Sequence, residues 1–395
     1  MLSQLDKTMQ NFNVDAIVVY TEDGAPSPVF RYLTRAPLAN GGVYLKVKGK
    51  KPIVLVSSNF EVPSFKKESV VKDVRGFVEV AKSDEPMSAC IGRVLEELGA
   101  NKKSKLVAYD PMPVKLYLKL RELGYNISLP DENTDVVTEL RLTKDEEELK
   151  HITHVGLLAQ KVLKNVFEEL SKCEIKNNKL CKGSKALTIK DARKLIQIEC
   201  AKECLENPAG IIFAQGPEGA EPHNHGTDSL PLLANVPTVV DFFPYNNESG
   251  YWFDMTRTVV FGKASQEVKE VYNLVLQAQQ AAEECMREGT FWYGPFEKAC
   301  DILEAKGFNT VRKDAKSLSG FIHSLGHGVG VQIHELPRLS KKENVKGKKL
   351  ASGMVFSNEP GLYLPGKFGV RIEDILVCTK TGVKNLTPFS KELEI

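Results

Sequence analysis

Hydrophobic residues along the chain fall into two kinds of run. Short β-rich runs occupy residues 15–20 (DAIVVY), 42–47 (GVYLKV), 52–57 (PIVLVS) and 105–110 (KLVAYD), each bounded by turn residues. Residues 87–99 (MSACIGRVLEELG) instead repeat apolar positions at the helical period and end in glycine. Residues 113–124 (PVKLYLKLRELG) do the same and open on proline, which suits the first turn of a helix. Strands alternating with helices predict an α/β domain. It is expected over residues 1–138, closing in the polar stretch 130–141 (PDENTDVVTELR).

The pattern changes over residues 139–395. A long helix is predicted from residue 143, where Thr143 and Glu146 have capping-box spacing and the acids of the first turn suit the helix dipole. Residues 173–188 (CEIKNNKLCKGSKALT) read as a polar insertion before a second helix near 190–205. β-rich runs then recur at 211–215 (IIFAQ), 237–243 (PTVVDFF) and 251–262 (YWFDMTRTVVFG). Helices are predicted near 266–288 and 295–306, and strands within 353–364 (GMVFSNEPGLYL) and 368–378 (FGVRIEDILVC). This second region is expected to be an α+β domain.

Two segments of that domain place acids in apolar strands. Asp241 and Asp254 fall on the two arms of one hairpin, and Glu359 and Glu373 on the arms of another. Buried carboxylates are costly unless paired or bound to a metal. Four in one domain need nearby positive charge, which two divalent cations would supply. Strand alternation groups Asp254 with Thr256 and Thr258 and turns Arg257 the other way. It groups Arg371 with Glu373 and turns Asp374 away, toward solvent or a supporting role. Four solvent-facing acids near turns would explain either hairpin alone, but less readily both.

Histidine sharpens the picture. The chain has seven, and residues 321–337 (FIHSLGHGVGVQIHELP) hold three of them: His323, His327 and His334. Gly326, Gly328 and Gly330 flank His327 and would let the backbone pass close to a metal without a Cβ clash. His151 and His154 share a helix but no carboxylate marks them, so they read as surface or packing residues. Four carboxylates with one imidazole suit Mn²⁺, Co²⁺, Zn²⁺ or Fe²⁺. Two such ions ~3.5–4 Å apart polarise a carbonyl and activate water.

Charge and composition narrow the partners. With 53 basic and 51 acidic residues the net charge is +2, which gives no reason to expect nucleic acid or an anionic membrane. No apolar run approaches the roughly 20 residues that span a bilayer, and the N-terminus lacks the pattern of a signal peptide. Eight scattered cysteines form no CxxC pair, which fits a reducing, cytoplasmic compartment.

These residues resemble the pita-bread-fold metallopeptidases, in particular the Xaa-Pro dipeptidases (prolidases) and Xaa-Pro aminopeptidases. The likeness covers most of the chain. It rests on Asp241, Asp254, His327, Glu359 and Glu373 in order, within the blocks GPEGAEPHNH (216–225), DMTRT (254–258), GHGVG (326–330), HELP (334–337), EPGLY (359–363) and VRIED (370–374). FRYLTRAP (30–37) is similar, less specifically, to the family's creatinase-type N-terminal domain.

The resemblance implies an α/β creatinase-like domain followed by an α+β pita-bread catalytic domain. It implies that Asp241 chelates one of two divalent metals, that Asp254 and Glu373 bridge them, and that His327 and Glu359 complete the other. Glu359 would pass a proton to the leaving amine, and His223 and His334 would contact the peptide carbonyl and its oxyanion. His323 and Arg371 would line the substrate's C-terminal side. The implied partner is a proline-containing peptide and the implied assembly a homodimer, with dipeptidase action slightly favoured over aminopeptidase action. A creatinase-like amidinohydrolase and a non-catalytic scaffold of the same fold are the alternatives. The sequence departs from the family in the long link between Asp241 and Asp254, in Phe243 where glycine is common, and in the polar insertion. His225, which follows the PHN element, reads as a loop residue.

Overall fold

The computed structural model describes residues 2–22, 27–36, 41–82, 85–109, 111–131 and 135–395. Pro37, Asp110 and residues 132–134, parts of three motifs above, lie outside the described residues. The chain forms two compact units, Met1–Arg141 and Leu142–Ile395. The expected boundary fell slightly earlier. The helix Val136–Leu142 lies across it, and two tyrosines hold its first turns in the first unit. Tyr32 Oη donates to the Leu140 carbonyl at 2.9 Å, and Tyr109 Oη donates to Asp135 at 2.8 Å.

The first unit is a six-stranded mixed sheet. Its strands run in the order Asp73–Gly76, Ile53–Val56, Gly42–Val47, Ala16–Thr21, Lys105–Tyr109 and Asn126–Ser128. The two outermost strands escaped the sequence reading. DVRG and NIS are too short, and too polar on their exposed positions, to show an alternating pattern. Helices Met87–Glu97 and Val114–Glu122 lay Ile91, Val94, Leu95 and Leu120 on Val18, Leu45 and Leu106 of the sheet.

The second unit opens on the helix Glu146–Ser171. Its cap is Asp145, not Thr143. The Asp145 carboxylate accepts from the Glu148 N–H at 3.0 Å, and the Glu148 carboxylate accepts from the Asp145 N–H at 3.1 Å. The capping box is therefore two residues later than expected. The polar insertion is folded as well. It forms three short antiparallel strands, Glu174–Lys176, Lys179–Lys182 and Lys185–Ala186. Asn177 and Asn178 turn the first hairpin with φ of 50° and 59°, the left-handed pair that a two-residue hairpin turn requires.

Both acid-bearing segments have a two-tier build. In the first, Pro237–Phe242 pairs with Met255–Val260, Asp241 facing Thr256 in register. Further along the same arms a shorter pair forms, Tyr245–Asn246 with Tyr251–Trp252. In the second, Val355–Asn358 pairs with Asp374–Cys378, and Gly361–Leu364 with Phe368–Arg371. Between the tiers each arm has a break. Asp254, Glu359 and Glu373 sit in those breaks and only Asp241 lies within a strand, which corrects the expectation of acids on continuous strands. Asp254 and Glu373 occupy equivalent places, each just ahead of the returning outer strand.

The breaks need a rigid backing. Helices Gln266–Glu284 and Tyr293–Glu304 supply it, burying Val271, Val275 and Phe296 in one core with Phe356, Leu362, Val370 and Leu376. Asp145→Ala is expected to cost about 1 kcal/mol or more of unfolding free energy, whereas Thr143→Ala should cost less than about 0.5 kcal/mol. Urea denaturation followed by circular dichroism checks both.

Candidate metal centre

The strand breaks aim their acids into one cavity of about 420 Å³. It is lined by Asp241, Asp254, His327, Glu359 and Glu373, and by His223, His323, His334 and Arg371, so all nine sequence-derived site residues converge there. A larger hollow of about 820 Å³ beside the helix Gln266–Glu284 contains none of them. His151 stacks on Tyr251 and His154 is exposed, both away from the cavity.

His327 is the centre of the cluster. Its Nδ1–H donates to the Gly328 carbonyl at 3.1 Å, which leaves Nε2 with a bare lone pair. That lone pair lies 3.3 Å from Glu359 Oε1, 3.5 Å from Asp254 Oδ2 and 3.9 Å from Glu373 Oε1. One ligand atom each from Asp254, His327 and Glu373 fall within 4.8 Å of one another. Asp241 Oδ1, Asp254 Oδ1 and Glu373 Oε1 are buried without a hydrogen-bond partner. Acceptors facing acceptors out of solvent contact need a shared proton or a cation. The donor set therefore fits a divalent metal.

Three of the candidate ligands, Glu373, Glu359 and His327, are held by neighbours. Thr256 Oγ1 donates to Glu373 Oε2 at 2.7 Å, and Ser357 Oγ donates to Glu359 Oε1 at 3.1 Å. The His327 N–H donates to the same Ser357 hydroxyl oxygen at 3.0 Å. The glycines around His327 serve packing more than metal approach. A Cβ on Gly326 would strike the Ser357 carbonyl oxygen, one on Gly328 the Leu336 carbonyl oxygen, and one on Gly330 the Glu335 carboxylate. They let adjacent backbone close on the His327 strand.

Arg371 and His323 lie deeper than expected. Arg371 spends its guanidinium on Asp241 Oδ2 at 2.6 Å, Tyr363 Oη at 2.6 Å, Thr256 Oγ1 at 3.2 Å and the Pro222 carbonyl at 3.3 Å. His323 Nδ1–H donates to the Ser324 carbonyl at 2.7 Å, so its Nε2 accepts from Tyr363 Oη at 3.0 Å. These contacts link Arg371, Tyr363 and His323 in one chain of hydrogen bonds. Asp374 is wholly buried, 2.9 Å from Arg257 and 2.6 Å from Lys391. Of the two roles foreseen for it, support replaces solvent exposure.

His223 and His334 differ from His323. Neither makes a hydrogen bond among the described residues, and both face the cavity. His334 holds φ of 62°, a conformation uncommon outside glycine, and its ring meets the His327 ring edge-on at 4.4 Å. Lys144 anchors the next residue through a buried 2.6 Å ion pair with Glu335. His225 also lines the cavity, its Nδ1–H donating to the Ile211 carbonyl at 3.1 Å.

Sequence reading passed over two residues here. Tyr363 had no feature beyond its place in EPGLY. Arg338 lines the cavity, is exposed, and makes no ion pair among the described residues. A cation directly after the HELP block was the available signal.

Burial sets the protonation states. It raises Asp254 well above the usual carboxylate range, with Asp241 adding repulsion. Glu373 is raised by burial and then by Asp254, and Glu359 by burial against the pull of His327 and Arg371. Burial lowers His323 to about 3, with Arg371 adding to it; His334, partly desolvated though its outer edge is exposed, is lowered to about 4, with His327 adding to it. Both imidazoles are therefore neutral at physiological pH.

A carboxyl raised on folding stabilises the metal-free protein most below its unfolded pKa, and that contribution is lost as pH rises through the folded value. The chelated protein is thus expected to lose thermal stability from about pH 4 toward neutrality. Added Mn²⁺ should restore it, with the gain growing as pH rises. Melting curves across pH, with and without the ion, check this.

The geometry agrees with independent likenesses. The model of metallopeptidase family M24 matches residues 150–380. An Xaa-Pro dipeptidase of Pyrococcus furiosus is 29% identical over 398 residues, 99% of each chain. An uncharacterized peptidase of Methanocaldococcus jannaschii is 36% identical over 276 residues, 69% of each chain. The crystal structure of the prolidase from Pyrococcus horikoshii OT3 superposes with a TM-score of 0.78 at 26% identity, covering 99% of each chain. The second unit, with its two-tier hairpins and buried carboxylates, has the pita-bread fold, and the chain belongs to metallopeptidase family M24.

Proposed function

We propose that the chain is a dinuclear-metal dipeptidase cleaving Xaa-Pro bonds. The observation that carries this is the convergence of three carboxylates on Nε2 of His327, with Asp241 beside them, in a cavity also lined by two histidines and an arginine whose side chains have no polar partner among the described residues. The Xaa-Pro preference follows the activity named for the Pyrococcus relatives.

Asp254 and Glu373, at equivalent breaks, would be shared between two ions. Asp241 would complete one, and His327 with Glu359 the other. The donor set admits Mn²⁺, Co²⁺, Zn²⁺ or Fe²⁺. Such ions, when bound, supply Lewis acidity toward the scissile carbonyl and lower the pKa of the attacking water.

The remaining steps belong to side chains. Glu359 sits beside His327 with a raised proton affinity, suited to take a proton and give it to the proline nitrogen as the bond breaks. His334 and His223 keep free ring nitrogens toward the cavity, suited to donate to the developing oxyanion. Arg371 and His323, read first as substrate contacts, are better assigned to positioning, because Asp241, Tyr363 and Ser324 already occupy their polar atoms. Arg338 is the cation free to meet a dipeptide's C-terminal carboxylate, and that feature favours dipeptidase over aminopeptidase action. Phe243 forms part of the cavity wall and favours short substrates.

The resemblance further supports a creatinase-type first domain and a homodimer. The eight cysteines are all unpaired, which supports a cytoplasmic setting. No helix among the described residues is long and apolar enough to cross a membrane.

The test is to chelate the protein, restore Mn²⁺ or Co²⁺, and assay Ala-Pro, an Xaa-Pro-Xaa tripeptide and creatine. Metal-dependent cleavage of Ala-Pro is expected. No metal-dependent cleavage of any Xaa-Pro bond would sink the proposal. Asp254→Asn should abolish turnover while leaving the fold intact. Arg338→Gln should cost about 1.5–3 kcal/mol in kcat/KM on Ala-Pro, roughly tenfold to a hundredfold, and much less on Ala-Pro-amide. Equal losses on both substrates would refute the carboxylate assignment.

A further inference from the structure

Behind the strand breaks lies a buried polar network that the chemistry above does not use. At its centre Arg257 spends five N–H donors on five acceptors. Nη1 donates to the Thr256 carbonyl at 2.9 Å and the Glu373 carbonyl at 2.6 Å. Nη2 donates to Asp374 Oδ1 at 2.9 Å and the Phe389 carbonyl at 3.1 Å, and Nε to the Ser390 carbonyl at 2.9 Å. One guanidinium thus grips both the backbone of a carboxylate ligand and the C-terminal segment.

The next residue of that segment extends the grip. Lys391 Nζ lies 2.6 Å from Asp374 Oδ2 and donates to Gln279 Oε1 at 2.8 Å. Gln279, wholly buried on the helix Gln266–Glu284, donates through Nε2 to the carbonyls of Asn358 at 3.0 Å and Ile372 at 3.2 Å. Those two residues directly precede Glu359 and Glu373. Leu393 and Ile395 then bond to the backbone of Val260, at 2.7 Å and 3.0 Å, and fasten the segment to the edge of the Asp241 sheet.

We propose that residues 389–391, acting through Arg257, Asp374 and Gln279, form a positioning device that sets the backbone of Glu359 and Glu373 for metal binding. The inference rests on the metal-centre reading above. Its physical basis is that three of these contacts end on the backbone carbonyls of Glu373 itself and of Asn358 and Ile372, which precede Glu359 and Glu373, in an interior where a broken hydrogen bond is not replaced by water. The backbone at Glu359 or Glu373 cannot shift without breaking one. Groups behind a metal's direct ligands typically govern affinity by about 10- to 100-fold. Lys391 is the accessible end of the device, its side chain 26% exposed.

The test compares Lys391→Met, Gln279→Met and Lys391→Arg with a control, Lys263→Met, whose 85% exposed side chain meets only the outer part of the tail at Glu394. Mn²⁺ affinity is measured on the chelated full-length protein by competition with a chelating dye. The visible spectrum of the Co²⁺-loaded protein and the melting point of the metal-free protein are recorded beside it. Lys391→Met and Gln279→Met should bind Mn²⁺ about tenfold more weakly or worse and show an altered Co²⁺ band. The metal-free melting point of Lys391→Met should stay close to wild type. Lys391→Arg, which keeps a cationic donor, should recover most of the affinity, and Lys263→Met should match wild type. Wild-type affinity and spectrum in folded Lys391→Met overturn the inference, and that variant decides alone if Gln279→Met does not fold. A wild-type protein that binds no Mn²⁺ would instead overturn the metal-centre reading, and this inference with it.

Discussion

Like charges packed in a dry space set the terms for the second unit. Asp254, Glu359 and Glu373 surround a histidine lone pair, and Asp241 escapes the same conflict only through its 2.6 Å pair with Arg371. An uncompensated buried charge costs about 3–5 kcal/mol. A fold can hold such a group only by protonating it or by recruiting cations. The raised proton affinities of three acids describe the first response, and the orphaned oxygens describe room for the second. Much of the surrounding architecture consists of parts that keep these carboxylates from relaxing apart: the hydroxyls of Thr256 and Ser357, the close-packed glycines, and the Arg371–Tyr363–His323 chain.

The two-tier hairpin is the device that makes such crowding possible. A residue inside a regular strand has its direction set by the pleat and its backbone committed to the ladder. At a break, the chain keeps its course but frees one residue to aim inward. Two breaks in equivalent places bring Asp254 and Glu373 to facing positions without any long loop. Helix packing on the far side then makes the breaks stiff, because Val275, Phe296 and Leu376 leave no space for the arms to shift.

Much of this was legible in the sequence, for identifiable reasons. The acids announced themselves because charge within an apolar run is rare. His327 stood out because its glycines and its two neighbouring histidines are concentrated in a histidine-poor chain. The long helices were visible through their period. What escaped was set by tertiary contact. No spacing rule says that Arg371 turns to Asp241, or that Tyr363 closes both on His323. The short outer strands of the first unit are defined by partners distant in sequence. The hairpin at Asn177–Asn178 did carry a local signal, two adjacent asparagines between β-rich residues, and reading it as a plain insertion overlooked turn chemistry. The cap at Asp145 was misplaced because several acids and hydroxyls near that terminus all satisfy the same loose pattern.

The acid-bearing breaks also fix when in the life of the molecule the cluster can exist. Asp241 and Glu373 are separated by about half of the second unit, and groups bracing Glu373 lie later still, at residues 389–391. A nascent chain therefore offers no complete site until synthesis of the unit is nearly finished. Nothing in its earlier part can hold an ion in the final geometry. Metal loading at such a centre would be a property of the finished fold, because the acids that meet there come from two hairpins far apart in the chain.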